Sequence, residues 1–159
     1  MKRRLLALAG FTTLTTLSAV VGARVTQTGR DLWYRSLEQP PFQPPAAAFG
    51  PVWTALYAAM TVSAYRVWKQ PPSRERTRAL QLWGVQLALN AAWTPLFFGA
   101  HAPRWALADI GLLLGAISAY ALAARRVDRP AAWMMTPYLA WTAFATVLNA
   151  ELVRRNLEA

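Results

Sequence analysis

The chain has 159 residues, of which 55% are hydrophobic and eight are tryptophan, and its formal net charge is +10. This apolar share is above the share of about half that is typical of soluble domains. The sequence has no cysteine and one histidine, His101. Thiol catalysis, zinc binding by Cys and His, and a Ser-His-Asp triad therefore have little support, and we predict no metal site.

The distribution of the apolar residues predicts five membrane-spanning helices. Roughly 20 apolar residues in helical form cross the hydrocarbon core of a bilayer. Stretches of that kind lie at about 5–25, 46–68, 79–100, 103–124 and 131–153. Because they occupy most of the chain, we predict an all-α membrane protein with a single domain over residues 1–159.

The first stretch has an alternative interpretation. Basic residues at 2–4 precede an apolar run that ends in Val21, Gly22 and Ala23, which is the pattern of a secretory signal with a cleavage site. Cleavage would leave four helices. The run is longer than a usual signal core and four more apolar stretches follow it, which favours a membrane span.

The basic residues indicate an orientation. Lys and Arg are more frequent in cytoplasmic loops, and most of them lie on the side of the amino terminus in the five-span arrangement. We therefore expect the amino terminus and the loops near 70–78 and 125–130 in the cytoplasm, and the first loop outside. Because these charges lie beside spans, anionic lipid headgroups account for them, and we expect no nucleic-acid partner.

A long loop at about 26–45 joins the first two spans. It contains prolines, which fix backbone angles, and apolar side chains such as Trp33, Tyr34 and Phe42. Loops of this length in compact domains are usually functional or disordered, and this much apolar surface argues against disorder. We interpret the segment as a folded lid, in which Asp31 caps a short helical turn through Leu37 and an extended path follows.

Polar and aromatic residues recur at helical spacing inside the spans. They are Trp53 and Tyr57 on the second span, Gln86, Asn90, Trp93 and Phe97 on the third, and Trp141, Ala145 and Asn149 on the fifth. An amide in hydrocarbon needs a partner, so Gln86, Asn90 and Asn149 should point into the bundle. Large rings with a few polar groups suit a cavity for a flat apolar ligand. Ordinary packing explains the same spacing equally well.

Asp109 is the one acidic residue inside the predicted fourth span. An ionisable group in a span is costly. Asp109 lies about one turn from Trp105, so we expect a structural role close to the membrane interface.

Four motifs of the chain resemble successive signatures of the tryptophan-rich sensory protein and translocator protein family, also called peripheral benzodiazepine receptors. They are WYRSLEQPPFQPP, GPVWTALYAAM, QLALNAAWTPLFFG and PYLAWTAFATVLN, in this order. The resemblance implies five transmembrane helices and a pocket closed by the first loop. It also implies a homodimer and the binding of porphyrins such as protoporphyrin IX and of synthetic benzodiazepine-site ligands. A bacterial member would reside in the cell membrane and act in tetrapyrrole sensing, scavenging or transport.

The family's pocket can be carried over to this chain residue by residue. The resemblance assigns ligand binding to Tyr34 and Pro44 in the lid, Trp53 on the second span, Asn90 and Trp93 on the third, and Trp141, Ala145 and Leu148 on the fifth. Trp53 and Trp141 match tryptophans associated with light-dependent porphyrin breakdown. They are therefore the catalytic candidates if the protein is a porphyrin-degrading enzyme. The porphyrin is a ligand in either case, and no further cofactor is required.

Two further expectations concern partners. Family members that bind cholesterol carry an apolar residue, a tyrosine and a basic residue at the end of the last helix, whereas Arg154 here comes without the tyrosine, so cholesterol is not an expected ligand. Small residues that favour close helix contact form one stripe at Gly111, Gly115 and Ala119 and another at Ala88 and Ala92. Either stripe is a candidate dimer surface, and close packing inside the monomer is the alternative.

Overall fold

The computed structural model describes residues 2–29 and 32–156, and the regular structure of this part is helical, without strands. The predicted all-α class is confirmed. The long helices are α1 (Lys2–Gly29), α3 (Ala46–Lys69), α4 (Arg74–Thr94), α5 (Pro103–Arg125) and α7 (Thr136–Arg155). Two short helices, α2 (Leu32–Ser36) and α6 (Arg129–Trp133), and a π-helical turn (Pro95–Gly99) complete the described elements.

Within the described residues, two helices are long and apolar enough to cross a membrane by length and composition. They are α1, over Lys2–Gln27, and α5, over Pro103–Arg125. The other three long helices contain tryptophan, threonine and further residues of low hydropathy among their apolar residues. The count of five spans therefore stays a prediction.

The five long helices form one bundle. Helix α4 packs along α5, α5 packs along α7, and α1 lies against α3 and α4. Fully buried side chains from several helices meet in the main core, including Met60, Ile117, Tyr120 and Tyr138.

One end of the bundle, here called the floor, is closed by polar contacts around α6. The Ser63 hydroxyl donates to the carbonyl of Ala131 at 2.8 Å and lies 2.7 Å from the Tyr120 hydroxyl. Asp128 accepts from the Ala131 amide at 2.8 Å, so it caps the first turn of α6. Its carboxylate also receives two hydrogen bonds from Arg66, at 3.1 and 3.2 Å. These contacts join α3, α5 and α6.

Prolines interrupt two of the predicted spans. Proline lacks an amide proton and cannot continue the regular hydrogen bonding of a helix. The segment 131–153 is divided at Met134 and Met135, just before Pro137, into α6 and α7. At Pro95, α4 gives way to the π-helical turn, in which the Ala100 amide donates to the Pro95 carbonyl at 2.8 Å. The loosened turn brings Phe97 and Phe98 into the interior, where both are buried.

The lid, defined as residues 32–45, covers the other end of the bundle. It begins with α2 and continues without helix through a turn in which the Gln43 amide donates to the Pro40 carbonyl at 3.1 Å. Leu37 is buried with Phe97, Phe98 and Leu152. The expected short helix is confirmed. A turn at Pro40–Gln43 interrupts the extended path that was expected after it, and the predicted cap, Asp31, lies outside the described residues.

Candidate ligand cavity

A cavity of about 910 Å³ lies between α1, α3, α4, α7 and the lid. Its volume is in the range of roughly 300 to 1,000 Å³ that is typical of small-molecule sites. Apolar and aromatic side chains dominate its wall, and none of the described residues that line it is Asp, Glu, Lys, Arg or His. The wall therefore suits an uncharged, largely apolar molecule, because burying an unpaired charge is costly.

The structure brings the sequence-predicted site residues to this cavity, with one exception. The lining includes Tyr34, Trp53, Asn90, Trp93, Trp141, Ala145 and Leu148. Pro44 lies in the lid but does not line the cavity, and its neighbour Gln43 does. The reason is local, since Gln43 donates to the Tyr34 hydroxyl at 3.0 Å and so turns toward the cavity beside Tyr34. The ligand-binding role of all these residues stays a prediction.

Aromatic rings close the side of the cavity between α3 and α7. The rings of Phe49 and Trp141 lie 5.7 Å apart and nearly perpendicular, at 77°. The Trp53 ring lies 5.5 Å from Tyr57 and 6.2 Å from Tyr138. These are favourable separations for aromatic pairs, so this wall is held by ring contacts between the helices.

The Trp93 indole is positioned by two neighbours. It stacks on Phe97 with ring centres 5.0 Å apart. Its Nε1 donates to Asn149 Oδ1 at 3.2 Å, and Asn149 Nδ2 donates in turn to the Pro103 carbonyl at 3.0 Å. A buried indole nitrogen needs an acceptor, and Asn149 supplies it.

Asn90 is the centre of the polar contacts at the cavity. Its Oδ1 accepts from the hydroxyls of Tyr57, at 2.8 Å, and Ser18, at 3.2 Å. Its Nδ2 donates to the Tyr138 hydroxyl at 2.8 Å. One amide thus connects α1, α3, α4 and α7. The expectation that Gln86, Asn90 and Asn149 point inward is confirmed, since all three are buried.

Comparison with known proteins shows the family of this chain. The model of the TspO/MBR family matches residues 11–155. The chain belongs to the TspO/MBR family. It is 44% identical to the translocator protein of Bos taurus over 149 residues, which cover 92% of this chain and 88% of that protein.

Bacterial proteins of the family are similar over the same length. The chain is 37% identical to the tryptophan-rich sensory protein of Cereibacter sphaeroides over 145 residues, which cover 89% of both chains. It is 34% identical to the tryptophan-rich protein TspO of Chlorobaculum tepidum over 160 residues, which cover 98% of this chain and 99% of that protein. The family is membrane-associated, in agreement with the apolar helices of this member.

The wall that α1 contributes to the cavity of this TspO/MBR protein was not predicted from the sequence. It includes Thr12, Thr15, Ala19, Gly22 and Thr26. The spacing of these small residues by three and four was a signal that could have indicated the wall. The Thr15 and Thr61 hydroxyls lie 2.7 Å apart and join α1 to α3.

The cavity opens sideways along α1 and α3. The lining residues of these two helices that are exposed at the molecular surface include Thr12, Thr16, Thr54 and Ala58. All four are small, so a ligand has a lateral route to the cavity in addition to any movement of the lid.

Some buried polar side chains have an atom without a hydrogen-bond partner in the described part of the protein, and three of them lie in the middle of a long helix. They belong to Gln86, Asp109 and Thr142. Asp109 is 8% exposed, so its side chain faces the bundle, and its expected position near the membrane interface stays a prediction. Neither Gln86 nor Asp109 lines the cavity, whereas Thr142 does.

Proposed function

We propose that this TspO/MBR protein binds a tetrapyrrole of the protoporphyrin IX type, or a similar flat hydrophobic molecule, in the cavity beneath the lid. In this role it acts as a membrane receptor in tetrapyrrole sensing, scavenging or transport. The observation that carries the proposal is the convergence of Trp53, Trp93 and Trp141, from three different helices, on one cavity. Indole rings offer large flat surfaces on which another ring system can stack.

The character of the wall suggests how such a ligand would be oriented. Because the described lining has no charged side chain, ionised carboxylates of a porphyrin would find no partner inside. We therefore place the ring among the indoles and its ionised groups at the lateral opening, where water can reach them.

We also propose that all five long helices cross the bacterial cell membrane. Each has 20 residues or more, which is about 30 Å of helix and matches the hydrocarbon core. The bias of basic residues supports an amino terminus in the cytoplasm and a lid on the outside.

A homodimer is part of the same proposal, with two candidate contact surfaces. A Cβ added at Gly111 or Gly115 would meet no atom within 4 Å, so packing inside the monomer does not require these glycines. Ala88, in the shorter stripe on α4, is exposed as well. Both stripes permit close helix approach between two copies.

Titration with protoporphyrin IX tests the binding proposal. Affinity is measured from the porphyrin absorption band and from quenching of tryptophan fluorescence. We expect the double variant Trp53→Phe, Trp141→Phe to bind at least about tenfold more weakly, because loss of the indole surface removes stacking contacts. The matched control is Trp105→Phe, Trp133→Phe, which changes two exposed indoles outside the cavity. Equal affinity in both double variants would exclude this cavity as the site.

A second candidate function is light- and oxygen-dependent porphyrin degradation. It is favoured by the presence of Trp53 and Trp141, which are readily oxidised indoles, on the same cavity wall. The expected result is loss of the porphyrin absorption band under illumination with oxygen, abolished in Trp53→Phe or Trp141→Phe variants that still bind the porphyrin. If the band fades equally in the variants, the bleaching is independent of these residues and the protein is a binding protein.

A further inference from the structure

Thr94, the last residue of α4, presents an unpaired hydroxyl group to the cavity. It lines the cavity beside Trp93 and is partly buried. Within the described part of the protein its hydroxyl makes no hydrogen bond, and it does not cap the π-helical turn that follows. The unpaired polar atoms that are enclosed by protein belong to other residues. Thr94 Oγ1 is therefore accessible to a molecule in the cavity.

The other threonines of the described cavity wall offer no interior hydroxyl of this kind. Several donate to the backbone carbonyl four residues earlier in the same helix: Thr12, Thr15, Thr26, Thr54 and Thr61. Thr16 is exposed at the molecular surface, and the Thr142 hydroxyl is enclosed by protein. Thr94 is thus the interior threonine of this wall whose hydroxyl is left for a bound molecule.

Gly22 on α1 leaves space beside the Thr94 hydroxyl. A Cβ added at Gly22 would lie 3.5 Å from Thr94 Oγ1, which is the one atom that it would meet within 4 Å. Both residues line the cavity. Because Gly22 has no side chain, this side of the hydroxyl stays uncovered and a ligand atom can approach it.

The neighbouring indole determines which part of a ligand comes near Thr94. The Trp93 ring is held by its stacking on Phe97 and by its hydrogen bond to Asn149. A flat ring system that packs against this fixed indole has its edge at the adjoining part of the wall, where Thr94 lies. The inner N–H groups of a tetrapyrrole are enclosed by its macrocycle, so a side chain at the edge meets peripheral groups.

We infer that the Thr94 hydroxyl donates a hydrogen bond to a carbonyl oxygen at the edge of the bound ring system, and that this bond selects carbonyl-bearing ligands among flat hydrophobic molecules. The carbonyl group is neutral, as required by a described wall without charged side chains. A site that hydrogen-bonds one ligand atom discriminates against analogues that lack this atom. The inference rests on the proposed function and specifies the ligand of the same cavity.

The test uses two neutral tetrapyrroles that differ in one carbonyl group. Octaethylporphyrin carries only alkyl groups at its edge, whereas octaethyl-oxochlorin carries a ketone there. Affinities are measured from the absorption bands during titration of the detergent-solubilised protein. Thr94→Val keeps the shape of the side chain and removes the hydroxyl, so we expect about fivefold to tenfold weaker binding of the oxochlorin and unchanged binding of octaethylporphyrin. Thr94→Ser retains the hydroxyl and should bind the oxochlorin within about threefold of the wild type.

Thr146→Val is the matched control. Thr146 is also partly buried, but it does not line the cavity and its hydroxyl donates to the Thr142 carbonyl at 2.8 Å. This variant should leave the affinity for both tetrapyrroles unchanged. The melting temperature of the ligand-free protein gives an independent measurement. Thr94→Val removes no hydrogen bond from the ligand-free protein, so it should melt no lower than Thr146→Val.

Four results would overturn the inference alone. They are equal affinity of the wild type and Thr94→Val for the oxochlorin, an equal loss for both tetrapyrroles, a ligand-free Thr94→Val that melts below Thr146→Val, and a wild type that binds protoporphyrin IX but neither probe. If the wild type binds neither probe nor protoporphyrin IX, the proposed function is overturned and this inference with it.

Discussion

Asn156, which follows α7, holds the backbone of Glu38 in the lid through two hydrogen bonds. Its Oδ1 accepts from the Glu38 amide at 2.9 Å, and its Nδ2 donates to the Glu38 carbonyl at 3.1 Å. Arg155 adds an ion pair with the Glu38 carboxylate at 2.5 Å, although Glu38 is 63% exposed. Exposed ion pairs contribute little, so Asn156 is the main polar connection between Glu38 and the end of α7.

Replacing Asn156 with alanine should release the lid. Loss of two hydrogen bonds costs about 1 to 3 kcal/mol of lid closure, so we expect protoporphyrin IX to dissociate at least about fivefold faster. Stopped-flow displacement from the detergent-solubilised protein measures this rate. Arg154→Ala is the control, because Arg154 is largely exposed and pairs with Glu151 on its own helix. Identical rates in the wild type and in both variants would show that the lid does not limit release.

Asn90 should be the most sensitive polar residue of the cavity. Asn90→Leu leaves the hydroxyls of Tyr57, Ser18 and Tyr138 without this partner. Because unpaired buried groups are costly, we expect a loss of about 2 to 4 kcal/mol in the free energy of unfolding. Tyr57→Phe removes one of the three bonds and should cost about 1 kcal/mol. Thermal unfolding in detergent measures both, and the expectation fails if Tyr57→Phe is the more damaging change.

Low pH should destabilise the floor of the bundle, because the Asp128 carboxylate becomes protonated. Burial alone would raise the pKa of Asp128, but the Ala131 amide, Arg66 and Gln70 together lower it below its ordinary value of 3.8. The folded protein therefore binds this proton less readily than the unfolded chain does. The stabilisation of the fold by the ionised Asp128 carboxylate is therefore complete above pH 3.8. It is lost as the pH falls through the lower pKa that Asp128 has in the folded state.

The variant Asp128→Asn tests this contribution. At neutral pH it should reduce the free energy of unfolding by about 1 to 3 kcal/mol, because it removes charge-assisted hydrogen bonds. Below pH 3.8 its difference from the wild type should shrink. Glu75→Gln, which changes an exposed carboxylate, should stay within about 0.5 kcal/mol at neutral pH. A difference that is constant with pH would exclude the carboxylate as the cause.

The proposed orientation can be tested directly, since the native chain has no cysteine. Pro41→Cys lies in the lid and Pro72→Cys lies between α3 and α4, both at exposed positions. We expect a membrane-impermeant maleimide to label the Pro41→Cys variant in intact cells and the Pro72→Cys variant only after lysis, because the basic loop should face the cytoplasm. The reverse pattern would invert the orientation, and labelling of both in intact cells would contradict the five-span arrangement.

The interior position of the amides could be predicted from the sequence. Asn90 and Asn149 lie at helical spacing from tryptophans, and an amide cannot be left unpaired in an apolar environment. The partners of these amides were not predictable. Tyr138 and Ser18 reach Asn90 from helices that are distant in the chain, and their meeting depends on how those helices rotate about their own axes.

The sequence by itself determined the helical class, the short helix of the lid, and most of the aromatic residues on the cavity. These features could be predicted because hydrophobic periodicity and the cost of burying polar groups act within a single helix or loop. Only the tertiary structure decided that Gln43 rather than Pro44 faces the cavity, that α1 supplies one wall, and that the Thr142 hydroxyl is left without a partner. These outcomes depend on the packing of helices far apart in the chain, and that packing determines which side of each helix turns toward the shared space.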